Sequence, residues 1–175
     1  MIQIRPVSDL RNKFPEVEKI VEGGEPVYLT KNGYGSMVLV NLEEYERLTQ
    51  RAEFISEFEL LVGEAKAIIR ADADAEQVIV VRTAKNRIRS YAFHSMSEIT
   101  QEDNPFVRKL IEQEDVEIKH ILCMWNEYAI DVPSMQFRKC LLDASPKNVD
   151  ACMILQGTYD YEFRTIQSTL KYMEK

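Results

Sequence analysis

Three times between Val78 and Lys175 the chain repeats one order of signals: an apolar run, an alternating strand end, then a hydroxyl residue followed by an apolar one. The apolar runs are Val78-Ile79-Val80-Val81, His120-Ile121-Leu122-Cys123-Met124-Trp125 and Cys152-Met153-Ile154-Leu155. The strand ends are Tyr91-Ala92-Phe93, Ile130-Asp131-Val132 and Tyr161-Glu162-Phe163, and the hydroxyl pairs are Ser95-Met96, Ser134-Met135 and Thr165-Ile166. Alternation suits a strand with one buried face. A Ser or Thr hydroxyl accepts the free amides of a helix's first turn. A spacing of roughly thirty to forty residues is the scale of a repeated supersecondary unit. The pattern therefore predicts three ββα units in an α+β domain, with a mostly antiparallel sheet covered by helices on one face. Asn104-Pro105 starts an additional helix in the first unit, continuing into Phe106-Val107-Arg108-Lys109-Leu110.

The chain before this repeat reads differently. Ile2 to Arg5 is a short strand, and Pro6 ends its ladder because it has no N–H to donate. Ser8 is placed as N-cap of a helix containing Leu10 and Phe14, with Asp9 favoured by the dipole of the first turn. Pro15 suits the start of a second short helix, Glu16 to Glu22, and Gly23-Gly24 ends it. Val27 to Thr30 and Met37 to Val40 are β-prone runs around Lys31-Asn32-Gly33-Tyr34-Gly35, whose Asn-Gly pair has the chemistry of a tight hairpin turn. Asn41 caps a long helix from Leu42 to about Arg70. Ala71 to Glu76 contains no large apolar residue, so the expected domains are 1–72 and 77–175.

Composition removes several classes of function. No run of apolar residues is long enough for a membrane span, and the opening residues have no apolar stretch of signal-peptide kind, so a cytoplasmic protein without membrane partners is expected. Cys123, Cys140 and Cys152 are odd in number and embedded in apolar sequence, which fits small buried hydrophobes and neither a disulfide framework nor a metal site. His94 and His120 have no nucleophile motif beside them, and no phosphate-binding loop or zinc-binding helix motif is present. The expectation is no enzyme, no cofactor and no metal. Net charge is −7, which opposes nucleic-acid binding only if it is spread evenly, because DNA contact needs a local cluster of cations.

Ser8-Asp9-Leu10-Arg11-Asn12-Lys13-Phe14, the stretch Gly23 to Gly33 (GGEPVYLTKNG) and Met37 to Leu48 (MVLVNLEEYERL), in that order and spacing, resemble the Phd/YefM antitoxin family. The resemblance implies a β-α-α-β-β-α domain that dimerises and grips a palindromic operator, with its first helix and adjoining turns facing DNA. Carried over by position, Arg11 and Lys31 match basic operator-contacting sites of the family. Arg5, Ser8, Asn12, Lys13 and Asn32 supply further donors close to them in the expected layout, and the arginine can clamp phosphate or pair with a guanine edge. A domain with one hairpin and short helices has little core of its own, so a homodimer or higher oligomer is expected to complete it.

The family's usual continuation is a short tail, disordered alone, that folds on a toxin. Here roughly a hundred residues rich in Val, Ile, Tyr, Phe and Met follow, a composition expected to fold by itself. The leading expectation is an antitoxin of a type II toxin-antitoxin system: it binds operator DNA as a dimer, represses its own operon and neutralises a protein toxin by direct binding. Glu53, Glu57, Glu59 and Glu64 on the long helix either offer carboxylates to a basic toxin or form a solvated face. The alternative expectation is a ligand-sensing repressor without a toxin, with Trp125, Tyr128, Tyr159 and Tyr161 lining a pocket or, as plain core, lining none.

Overall fold

The computed structural model describes residues 2–157 and 161–170. The chain divides into two compact units, Met1–Ser56 and Glu57–Lys175. The division falls inside a helix and not in the Ala71–Glu76 segment expected from composition. The reason is packing: the helix's second half is core of the second unit, and Ala75 in the supposed linker is itself buried.

The first unit runs β1 (Gln3–Pro6), α1 (Asp9–Asn12), α2 (Phe14–Glu22), β2 (Val27–Lys31), β3 (Tyr34–Leu39) and the start of α3 (Leu42–Ala71). The sheet order is β1-β2-β3, with β1 parallel and β3 antiparallel to β2. Val17, Val27 and Leu29 are fully buried, and Val7, Leu10, Ile20, Val21 and Leu39 pack partly around them. Asn32 and Gly33 have φ of 53° and 82°, the left-handed pair a two-residue hairpin turn requires. The tight turn lets β3 begin at Tyr34, three residues before the apolar run that marks it in the sequence. Asn41 caps α3, its Oδ1 accepting from the Glu44 amide at 2.7 Å. Ser8 behaves otherwise than expected: its backbone is already helical, its hydroxyl caps nothing, and its carbonyl accepts from the amides of Arg11 and Asn12 instead.

The second unit contains the three predicted repeats. They are β4 (Gln77–Thr83), β5 (Ile88–Phe93) and α4 (Met96–Thr100); β6 (Ile118–Trp125), β7 (Ile130–Asp131) and α6 (Met135–Ala144); and β8 (Cys152–Gln156), β9 (Tyr161–Thr165) and α7 (Ile166–Thr169). Helix α5 (Pro105–Glu112) extends the first repeat, and a 3₁₀ turn (Pro146–Asp150) the second. Each repeat's helix is capped by the expected hydroxyl: Ser95 accepts from Glu98, Ser134 from Phe137 and Thr165 from Ser168. The sheet order is β5-β4-β6-β8-β9 with β7 beside the end of β6; β6–β8 is parallel and the other pairings are antiparallel.

Both faces of this sheet are buried. Ile79, Val81, Ile121, Cys123, Met153 and Leu155 pack with Ile99, Phe106, Leu110, Phe137, Leu141 and Ile166 from α4 to α7. The opposite side chains, Val78, Val80, Leu122, Met124 and Ile154, pack with Leu61, Ala65 and Ile69, which recur at i, i+4, i+8 on α3. The expectation of helices on one face only is thus corrected, and the near-continuous apolar runs of β4, β6 and β8 are explained, because a strand buried on both faces has no polar side. Asn148, fully buried, joins the layers: its Oδ1 accepts from the Ile118 amide, and its Nδ2 donates to the carbonyls of Val116 and Leu141.

Candidate nucleic-acid interface

Parallel pairing of β1 with β2 decides where the expected DNA-contacting residues of the first unit come together. In the register Arg5 sits beside Leu29 and Pro6 beside Thr30, so both strands end at the same edge of the sheet. The Val7 amide donates to the Thr30 carbonyl at 2.9 Å, and the Thr30 hydroxyl to the Arg5 carbonyl at 3.4 Å. Helix α1 leaves β1 at that edge, and the Lys31-Asn32 turn leaves β2 there. Segments separated by about twenty residues of sequence become neighbours because a parallel ladder aligns like ends.

Ser8, Arg11, Asn12 and Lys13 are exposed around α1, and Lys31 and Asn32 are exposed on the turn. Among the described residues, no ion pair engages Arg11, Lys13 or Lys31, so their charges face solvent. Arg5 is different. Its side chain is in register with buried Leu29, and its Nη1 lies 3.7 Å from Asp9 Oδ2 and 3.8 Å from Glu16 Oε2. It braces β1 against α1 and α2, and any contact with DNA would compete with those carboxylates.

The other face of the same small sheet is open. Ile4, Tyr28 and Val38 share it by register and are 65%, 41% and 49% exposed. The alternation of β2, with Val27 and Leu29 buried and Tyr28 out, carries this face in the sequence.

The acidic residues expected on one helix face are separated by the fold. Glu53 and Glu59 are exposed. Glu57 is engaged within the chain: Arg82 Nε and Nη2 donate to its two oxygens at 2.8 and 3.0 Å, and His120 Nδ1 lies 3.5 Å from its Oε1. Burial pushes the Glu57 carboxyl up, but the Arg82 hydrogen bond and charge together with His120 hold it below its usual value. Glu64 accepts from the Ser90 hydroxyl at 3.4 Å. Both carboxylates thus meet their own sheet, because they flank Leu61, which is buried in it.

The residues weighed for a ligand pocket or for chemistry do not converge. Trp125 packs partly against the core, Tyr128 is exposed in the β6–β7 turn with φ 64°, and the Tyr161 ring lies 4.0 Å from the Phe58 ring. Tyr159 lies outside the described residues. A cleft of about 300 Å³ between α5 and α6 is lined by Val107, Ile111, Cys140 and Ala144 with polar neighbours, and by none of those aromatics. Cys123 is buried, with its thiol pushed up by desolvation, while Cys140 and Cys152 are half-buried. His94 Nε2 lies 2.8 Å from Asp72 Oδ2, which raises its pKa, whereas burial lowers that of His120. Among the described residues no group of three or more His, Cys, Asp or Glu is placed to hold a metal ion, and no helix is long and apolar enough to cross a membrane.

Residues 2–77 match the family described as antitoxin Phd_YefM, type II toxin-antitoxin system. Comparison with curated proteins gives no match. Similar solved structures include the toxin-antitoxin complex RelBE2 from Mycobacterium tuberculosis, at 29% identity and TM-score 0.30, over 42% of this chain and 77% of that one. Another is cytidine deaminase from Mycobacterium leprae, at 9% identity and TM-score 0.46, over 61% of this chain and 92% of that one. At these TM-scores neither likeness assigns a fold or a chemistry.

Proposed function

We propose, from the premise that residues 2–77 are a Phd/YefM antitoxin domain, that this protein is the antitoxin and repressor of a type II toxin-antitoxin system. It acts in the cytoplasm without catalysis. It binds operator DNA as a homodimer, represses its own operon and neutralises a toxin by direct contact. The family match carries the reading. The geometry supports it, since the parallel β1–β2 register gathers Ser8, Arg11, Asn12 and Lys13 with Lys31 and Asn32 at one sheet edge. Arg11 and Lys31 are the principal contacts, with Arg5 a brace that holds α1 in place. The apolar face of Ile4, Tyr28 and Val38 supports dimerisation, because an open sheet face over so small a core is stabilised when a second copy covers it. Two copies of the cationic edge then suit the two half-sites of a palindrome. The toxin is met by the exposed acids of α3, Glu53 and Glu59, or by the folded second unit.

The test is titration of labelled DNA from upstream of the gene at two salt concentrations, with the wild type, Arg11→Ala and Lys31→Ala. The expected result is selective binding that weakens with salt and is lost in both variants. Each phosphate contact contributes about 0.9 to the slope of log affinity against log salt. Equal affinity of the wild type for upstream and unrelated DNA would overturn the repressor reading.

A further inference from the structure

The turn between β4 and β5 carries Arg82-Thr83-Ala84-Lys85-Asn86-Arg87-Ile88-Arg89, four cations in eight residues of a chain whose net charge is −7. Its backbone is fixed from several sides. The Thr83 amide donates to the Arg87 carbonyl at 2.9 Å, the buried Thr83 hydroxyl accepts from the Arg87 amide at 3.2 Å, and the Ala84 amide donates to the Glu117 carbonyl at 2.7 Å. Asn86, at φ 61°, organises the cations around it. Its carbonyl accepts from Arg82 at 3.0 Å and its side-chain oxygen from Lys119 on the neighbouring strand at 3.2 Å.

Neutralisation at this tip is incomplete. Arg82 has Glu57, and Arg87 and Arg89 share the single carboxylate of Asp115, whose side chain is fully buried. Lys85 donates to the backbone carbonyl of Glu114 and Lys119 to an amide oxygen, neither of which carries charge. Lys85 and Arg87 on the turn and Lys119 on β6 are exposed, while Lys85 shares a cleft with Glu114, Asp115 and Glu117. A phosphate backbone lying across this end of the sheet would be attracted by all three charges at once. A turn already ordered by its own hydrogen bonds loses little freedom on binding.

We infer that the β4–β5 tip, through Lys85, Arg87 and Lys119, is a second nucleic-acid contact that grips the phosphate backbone of duplex DNA without reading sequence. The choice of DNA over other polyanions rests on the repressor reading above. Asn86, the one amide side chain of the turn, has its oxygen taken by Lys119, so the tip is assigned to phosphate contact, which positions DNA without naming bases.

The full chain is titrated by fluorescence anisotropy with a labelled random-sequence duplex over a salt series, comparing the wild type, the triple variant Lys85→Gln/Arg87→Gln/Lys119→Gln, and Arg11→Ala/Lys31→Ala. All three tip residues are exposed, and an unchanged thermal midpoint verifies that the triple variant folds. The expected result is affinity at least tenfold weaker in the triple variant, with the salt slope reduced by about 0.9 for each phosphate the tip no longer neutralises. Wild-type affinity and slope in the triple variant would overturn the inference, even where the upstream-DNA titration upholds the repressor reading. Loss of random-duplex binding in the triple variant, with no preference of the wild type for upstream DNA, would uphold the tip and overturn that reading. Tighter binding of labelled polyglutamate than of the duplex at equal charge concentration, lost in the triple variant, would overturn the inference in favour of an acidic protein partner.

Discussion

Replacing Leu61 by Ala tests whether the second half of α3 belongs to the core of the second unit. Leu61 has no solvent exposure and packs in a cluster with Ala65, Ile69, Val78, Val80, Leu122 and Met124. The substitution removes buried methyl groups and leaves a void that neighbours on a rigid sheet fill only in part. Leu→Ala changes in such settings cost about 3 kcal/mol, within a range of roughly 2 to 5. For a domain of this size each kcal/mol lowers the midpoint by roughly 4 °C, so the unfolding transition of the second unit should fall by about 12 °C. Leu48→Ala on the first half of the same helix serves as control: Leu48 is 47% exposed, and its truncation should cost about 0.5 kcal/mol or less. Differential scanning calorimetry on the full chain reads both. A shift within about 2 °C for Leu61→Ala would refute the reasoning, because a side chain that costs so little to remove is not holding a layer.

The same packing predicts that a fragment 57–175 folds, whereas 72–175, stripped of α3, exposes Val78, Val80, Leu122, Met124 and Ile154 and aggregates; circular dichroism and sedimentation of the two fragments decide it. Asn148→Ala removes three hydrogen bonds, to the Ile118 amide and the Val116 and Leu141 carbonyls, the last of which keeps the Ser145 amide, and at about 1 kcal/mol for each missing bond should destabilise by about 3 kcal/mol in urea unfolding. Tyr28→Asp puts a carboxylate on the open sheet face and should shift analytical ultracentrifugation profiles from dimer to monomer; a wild type already monomeric at micromolar concentration would sink the dimer proposal. NMR titration should place the His94 midpoint above, and the His120 midpoint below, the ordinary histidine value. Because the folded His94 binds its proton more tightly, its contribution to stability is complete below the unfolded midpoint and fades as pH rises through the folded one. His120 has the opposite sign, its burial favouring the neutral ring, so it costs stability as pH falls through the unfolded midpoint.

Apart from Ser8, whose hydroxyl caps nothing, local chemistry was legible where one side chain makes the structure. The Asn32-Gly33 turn, the Asn41 cap, and the Ser95, Ser134 and Thr165 caps each follow from a residue type meeting its backbone requirement, and all stand where the sequence puts them. The three ββα repeats were readable because caps and alternation recur together. What failed depends on contacts distant along the chain. Composition marks Ala71 to Glu76 as weak, yet nothing local shows that Leu61, Ala65 and Ile69 upstream have already joined the sheet. The fate of Glu57 is set by Arg82, twenty-five residues on, and no helix-face count reveals it. Arg5 reads as a surface donor until the parallel register turns it toward Asp9 and Glu16. The residues of the candidate DNA edge are named by the family resemblance, and their juxtaposition follows from the β1–β2 register.

The second unit changes the energetics available to a protein whose residues 2–77 match the Phd/YefM antitoxin family. A tail that folds only on its toxin pays its ordering cost at the moment of binding, and can wrap a large surface while remaining easily displaced. A sheet buried on both faces, with three capped repeats and a hydrogen-bonded Asn148, has met that cost on folding. Whatever it binds meets a surface already formed, so affinity rests on shape and charge at fixed positions such as the β4–β5 tip, and discrimination comes from what that fixed surface refuses. Regulation by order and disorder, natural for a tail, has no purchase on such a core. The division between the two compact units falls within α3, between Ser56 and Glu57. There Glu57, held by Arg82 at 2.8 Å, fixes the helix to the sheet of the second unit, and a partner competing for either group would act where the two units meet in sequence.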